Sequence, residues 1–229
     1  MPQNLWSNVM NKKQEQILCK AALEFCRQES GCWRKELFAV TDGKAIGTLV
    51  EHNFEAFLLE HYHIESGSSA NGLDLPSLKT DIKVTSIVQP QSSCPYRSSR
   101  QKVYGLGYNL IVFVYRKEDD TATRMGALHF VSCSFVHANR TADYQLTKGI
   151  NDILSHEGTI DDIYAFLNDK QVPGDEITLN RLAEEIMKRP PKQGYLTISN
   201  ALQWRLQYSR VVTIQNSVSG IKTIIPYAG

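Results

Sequence analysis

Between Ile82 and Lys117 the chain contains no aspartate or glutamate. The whole sequence of 229 residues is nevertheless almost balanced, with 25 Lys and Arg against 24 Asp and Glu and a net charge of +1. That total gives no general electrostatic reason to bind a polyanion, but the acid-free stretch carries Lys83, Arg97, Arg100, Lys102, Arg116 and Lys117. A run of one sign creates a local positive field that a nucleic acid would feel. The five cysteines (Cys19, Cys26, Cys32, Cys94, Cys133) include no C-x-x-C pair and are odd in number, which argues for reduced, mostly buried thiols over a disulfide framework or metal site. No segment approaches the roughly 20 apolar residues that span a bilayer. The N-terminal MPQNLWSNVMNKKQEQ lacks the apolar core of a secretory signal, so a cytoplasmic location is expected. His61, His63 and His129 have no partner at zinc-ligand spacing, Gly105-Leu-Gly107 is too short for a dinucleotide loop, and no serine or cysteine has a recognisable triad partner.

An apolar content of 42% against 21% charged residues is ample for a packed core. The length suits one large domain, or one of about 150 residues with a smaller companion. Ile17, Leu18, Ala21, Ala22 and Phe25 recur at helical spacing within Asn11 to Gln28, and Val50, Phe54, Phe57 and Leu58 do so within a second helix from Gly47 to Glu60. Leu73 to Leu75 and Asp81 to Val88 bracket the turn LPSLKT as short strands. Arg97 to Leu106 can form a helix, NLIVFVY (Asn109 to Tyr115) has the uninterrupted apolar character of a central buried strand, and Ala127 to Val136 is another strand. After about His156 three helical patterns follow, TIDDIYAFLND, ITLNRLAEEIMK and SNALQWRLQYSRVV, then a β-like tail, GIKTIIPY. The expected fold is α/β: a mixed central sheet flanked by helices over residues 1–156, and a small winged-helix-like domain over 157–229.

The most informative stretch is GLDLPSLKTDIKVTS, Gly72 to Ser86. Period-2 alternation puts Asp81 and Lys83 on the same strand face, with Ile82 and Val84 on the other. Adjacent strands then bring the Asp74 and Asp81 carboxylates together, where they repel unless a cation sits between them. Mg²⁺ takes hard oxygen ligands, commonly one or two carboxylates with water and phosphate oxygens in the remaining positions. A neighbouring lysine can orient the attacking water and offset charge on a phosphate in the transition state. These parts suit metal-assisted phosphodiester hydrolysis.

Gly47-x-x-x-Glu51 on a helix, then Asp74 in GLD, then Asp81-Ile82-Lys83 on the next strand resembles the PD-(D/E)xK nuclease superfamily, which includes most type II restriction endonucleases. The compact spacing is similar to that of the mismatch-repair nicking endonuclease group and its restriction-enzyme relatives. The resemblance covers roughly Gly47 to Val136 and implies a restriction-endonuclease-like fold. It implies that Asp74 and Asp81 are metal ligands, that Lys83 is the catalytic lysine, and that a helix carboxylate, Glu51 or alternatively Glu55, supports the metal. Leu73 in place of proline, and Asp81 in place of the commoner glutamate, depart from the usual pattern.

Site choice requires groups that reach bases. Taken as a helix capped by Ser199, the segment SNALQWRLQYSRVV places Asn200, Gln203, Gln207 and Arg210 on one face, and amides and arginines can bind adenine and guanine edges. The loop from Gln89 to Lys102 offers Arg97, Arg100 and Lys102 to phosphates, and Gln89 and Gln91 to bases. The function these features favour is Mg²⁺-dependent, sequence-specific cleavage of double-stranded DNA by a type II restriction endonuclease, with a homodimer expected and a DNA methyltransferase as genetic partner. The alternatives are a nickase of the mismatch-repair type and a non-catalytic winged-helix regulator.

Overall fold

A computed structural model of the protein describes residues 10–67, 72–94, 97–200, 204–214 and 217–228. In chain order the elements are α1 (Lys12–Glu29), α2 (Gly43–Tyr62), β1 (Thr80–Ser86), β2 (Gln91–Cys94), α3 (Arg100–Tyr104), β3 (Asn109–Asp120), β4 (Met125–Val136), α4 (Tyr144–Ser155), α5 (Ile160–Asp169), α6 (Glu176–Lys188), β5 (Thr197–Ile198), β6 (Trp204–Gln207), α7 (Ser209–Val212) and β7 (Ile221–Ile225). The class is α/β with a mixed sheet flanked by helices. The chain forms two compact units that interleave in sequence, one from residues 1–90, 109–135 and 214–229, the other from 91–108 and 136–213. This partition does not coincide with a division after residue 156: 91–108 and 136–156 join the C-terminal helices, whereas the last sixteen residues return to the first unit.

In the first unit the strands lie in the order β1-β3-β4-β7. β1 and β3 are parallel, with Asp81 opposite Leu110 and Lys83 opposite Val112. Leu110 to Tyr115 are all buried, as expected of a strand with neighbours on both sides. The four residues between β3 and β4 can only return the chain as a hairpin, so that pair is antiparallel. Helices α1 and α2 cover one face. Leu18, Ala21, Ala22 and Phe25 of α1 and Val50, Phe54, Phe57 and Leu58 of α2 share a core with Ile82, Ile111, Phe113 and Phe130. The rings of Phe25 and Phe113 flank Phe54, with centroids 5.0 and 4.9 Å from it.

Local chemistry sets the helix ends. Asn11 and Gln14 form a capping box at the start of α1, and α2 begins four residues before the expected Gly47 because Asp42 caps it through the Lys44 N–H, satisfying a donor that has no partner within the helix. The expected strand Leu73 to Leu75 contracts to a single bridge in which Leu75 exchanges both backbone hydrogen bonds with Thr80, 3.0 and 3.1 Å. Pro76–Leu78 form one 3₁₀ turn between them. That turn is pinned to the sheet by Asn109, whose N–H donates to the Lys79 carbonyl at 2.8 Å.

The second unit packs α4, α5 and α6 through Leu146, Ile150, Ile163, Leu167, Leu179, Leu182 and Ile186. Gly149 permits the approach of α4 to α5, since a Cβ there would lie 2.1 Å from Phe166 Cζ. A second sheet, ordered β2-β6-β5, is antiparallel throughout. It overturns the expected third helix. Residues 204–207 are extended, and Trp204 and Leu206 are fully buried while Arg205 and Gln207 are exposed. The spacing of Asn200, Gln203, Gln207 and Arg210 suggested a helix, but alternation with period 2, together with the hydrogen-bonding edges of β2 and β5, makes a strand. The only helix in this stretch among the described residues is α7. The C-terminal β-element is also not a wing on the C-terminal helices: β7 joins the first unit's sheet, and Lys222 pairs with the buried Glu15 of α1 at 2.5 Å. The winged-helix arrangement is therefore replaced by a helical bundle with its own small sheet. Among the described residues no helix is long and apolar enough to cross a membrane.

Candidate active site

The side chains of Asp74, Asp81, Lys83 and Glu51 come together at the β1 edge of the first unit's sheet. An edge strand has backbone groups without a ladder partner, and the Ile82 N–H donates to Asp74 Oδ2 at 2.6 Å. The loop before the Leu75–Thr80 bridge is thereby held so that Asp74 meets Asp81. On β1, Asp81 and Lys83 share a face, and Lys83 Nζ lies 2.6 Å from Asp81 Oδ2. Helix α2, packed on β1 through Val50 and Phe54, brings Glu51 to hydrogen-bond contact with Asp74, which in turn contacts Asp81.

The electrostatics of this cluster are uniform in direction. Burial pushes the Asp81 carboxyl up from 3.8 to about 6, the nearby Asp74 adds to the rise, and Lys83 only partly offsets it. Burial likewise raises Asp74, with Glu51 contributing, although Asp81 and the Ile82 N–H work the other way. Glu51 and Glu55 are also raised by burial, Glu55 with a further contribution from Asp74. For Lys83, burial favours the neutral amine, but the Asp81, Asp74 and Glu51 carboxylates outweigh it and the ammonium is held more tightly than usual. There is no conflict between the partners. Three carboxylates and one ammonium carry a net charge of −2 when all are ionised, so each of the three carboxylates gains from an added positive charge.

That excess defines what the site can hold. All its donors are hard carboxylate oxygens, suited to a small divalent cation. Among the described residues no three His, Cys, Asp or Glu side chains form a ready-made metal cage. Mg²⁺ does not need one, because it usually keeps several waters and takes one or two carboxylates. Asp74 and Asp81 fit that requirement.

The residues expected to read DNA are dispersed. Gln89 is exposed, and its carbonyl accepts from Thr85 Oγ1 at 3.2 Å. The loop proposed around it is partly strand, with Gln91 opening β2 opposite Gln207. Arg97 is exposed. Arg100 is engaged by Glu185 of α6 through Nε and Nη2, at 2.8 and 2.6 Å, and both Arg100 and Arg189 stack on Tyr104, at 4.7 and 4.6 Å. Lys102 is 4% exposed and donates to Asn200 Oδ1 beside Trp204. Burial lowers its pKa, and its bond to Asn200 turns the amine inward within the second unit. Asn200 also donates to the Lys170 carbonyl at 2.9 Å. Arg210 on α7 lies 4.0 Å over the Tyr144 ring, and Gln203 falls outside the described residues. Asn200, Gln207 and Arg210 thus share no helical face. Arg205, which a helical reading leaves off the polar face, is instead aligned with Gln207 on β6. The alternation Trp-Arg-Leu-Gln was the available signal.

Comparison with known proteins gives the class first: the family description "Type II restriction enzyme NspV" matches residues 12–223. A curated relative, the type II restriction enzyme NspV of Nostoc sp. (strain ATCC 29411 / PCC 7524), is 53% identical over 188 residues, which is 82% of this chain and 86% of the relative. No solved structure matches. The chain belongs to the NspV family of type II restriction enzymes.

Proposed function

We propose that this type II restriction enzyme hydrolyses phosphodiester bonds of double-stranded DNA at the Asp74–Asp81–Lys83 cluster, with Mg²⁺ as its cofactor and a PD-(D/E)xK arrangement of the first unit. The observation that carries this reading is the convergence of three carboxyls and a lysine in one partly buried, net negative cluster. Asp74 and Asp81 would hold the cation, and Glu51 braces Asp74. When bound, Mg²⁺ supplies a Lewis acid for the phosphoryl oxygens and lowers the pKa of a bound water. Lys83, fixed by Asp81, orients the attacking water and offsets charge developing on the phosphate. The restriction-endonuclease-like fold is supported by α2 packing on β1 and by the parallel β1–β3 pair.

One active site per chain, with two strands to cut, favours a homodimer or two successive nicks. A sequence-specific nuclease that acts on the cell's own DNA also needs a methyltransferase to protect it. The test is digestion of plasmid DNA with Mg²⁺. Discrete linear fragments are expected, and Asp81→Ala should remove cleavage while retaining DNA binding in a gel shift. Open circles alone would replace this reading with a nickase, and cleavage by Asp81→Ala would overturn the site assignment.

A further inference from the structure

The small sheet of the second unit has two unlike faces. Register sets Cys94 opposite Trp204, and Leu206 opposite both Ser92 and Ile198. Cys94, Trp204, Leu206 and Ile198 are buried. The alternate residues bring Gln91, Gln207 and Thr197 into one cross-strand row, with Ser93 and Arg205 in the next. Ser93, Arg205 and Gln207 are exposed, and Gln91 and Thr197 half-buried. This face holds no acid and no large apolar side chain. The start of β6 is tied to Ser199, the Arg205 N–H donating to the Ser199 side-chain Oγ at 2.9 Å and the Arg205 carbonyl accepting from the Ser199 N–H at 3.1 Å.

Among the described residues no acid pairs with Arg205. Arg100 and Arg189 are by contrast bound to Glu185, and Arg210 is stacked on Tyr144. A rigid strand that presents an uncommitted guanidinium, a primary amide and hydroxyls suits base edges. The major groove is about 12 Å wide and admits a two-stranded ribbon, and paired strands are about 5 Å apart. The β2–β6 pair therefore fits, with the two-residue β5 at its rim.

We propose that the solvent face of the β2-β6-β5 sheet is the base-reading surface of this enzyme, entering the major groove with Arg205 directed to guanine and Gln207 to adenine. Ser93 and Thr197 sit beside these two as secondary contacts, a hydroxyl for either kind of base edge and a methyl for thymine. The occupant is double-stranded DNA, and this assignment rests on the nuclease reading above. The positive charge of Arg205 and the amide of Gln207 complement the acceptor-rich groove edges of purines.

The test uses the full-length protein. Sequencing the ends of digested plasmid fragments identifies the cleaved site. Duplexes carrying each single base-pair change at that site are then compared for binding in Ca²⁺ and for cleavage in Mg²⁺. Arg205→Ala and Gln207→Ala should each lower discrimination at one or two adjacent base pairs by about 5- to 150-fold, leaving the other positions selective. Arg205→Lys should behave like the alanine variant, because it keeps the charge and loses the two-pronged geometry. Uniform weakening on every duplex, with a salt slope smaller by about one and rescue by lysine, would make Arg205 a phosphate contact and overturn the proposal. Unchanged discrimination in both alanine variants would also overturn it. Thermal melting of each variant verifies that these exposed substitutions leave the fold intact. If the wild-type protein does not cut, its site is taken instead from a random duplex library selected by binding in Ca²⁺; selective binding without cutting then refutes hydrolysis while the binding arm still decides the sheet, and if it neither binds selectively nor cuts, both readings fall.

Discussion

Replacing Asp81 with asparagine should stabilise the protein when no divalent metal is present. Asparagine has the shape of the protonated acid and still accepts a hydrogen bond from Lys83, so it mimics the form that the folded chain prefers. The Asp81 carboxyl rises from 3.8 to about 6 on folding, with the attraction of Lys83 already included. At about 1.4 kcal/mol per tenfold change in proton affinity, ionising Asp81 at neutral pH costs the folded state up to about 3 kcal/mol. The sign follows from the direction of the shift. A group that holds its proton more tightly when folded favours folding fully below its unfolded pKa near 4, and that contribution is lost as pH rises through about 6. The Asp81→Asn variant should therefore match the wild type below about pH 4 and exceed it at pH 7.5 by about 1–3 kcal/mol, which is about 2–12 °C in melting temperature for a chain of this size. The assay is thermal unfolding in EDTA and in Mg²⁺ across that pH range. Mg²⁺ should raise the melting temperature of the wild type by ligand linkage and leave the variant nearly unmoved. A variant that melts below the wild type at pH 7.5, or that gains as much from Mg²⁺, would refute the idea that these carboxylates are crowded together for a cation.

Three further outcomes are expected. Lys83→Met should reduce the cleavage rate about 10²- to 10³-fold under single-turnover conditions while DNA binding in Ca²⁺ persists, and an undiminished rate would remove Lys83 from the chemistry. Glu51→Gln should shift the Mg²⁺ dependence of cleavage to higher concentration more than Glu55→Gln does, because Glu51 touches Asp74 directly whereas Glu55 acts on it only through charge. Phe113→Ala, which removes a ring packed between Phe25, Phe54 and Phe130, should lower the unfolding free energy by about 3–5 kcal/mol in urea titration, and a loss below about 1 kcal/mol would contradict the packing described.

The amino-acid sequence by itself determined the features that are periodic or capped. The apolar stripes of α1 and α2, the apolar run Leu110 to Tyr115 of β3, and the capped helices α5 and α6 follow from local pattern. The D-x-K pair on β1 does too, because alternation fixes which strand residues share a face. Only the tertiary structure decided the rest. WRLQ suits a helical stripe and a strand about equally, and its state was set by the open edges of the neighbouring β5 and of β2, which lies more than a hundred residues earlier. Lys102 has the sequence of a surface cation, yet packing buries it against Asn200 and Trp204. The C-terminal strand has no local mark of its partner, and its place beside β4 comes from the unfilled edge of a sheet built some ninety residues earlier. Spacing along the chain is a local quantity. Which edge is open, and which charge ends up buried, depends on the whole folded chain.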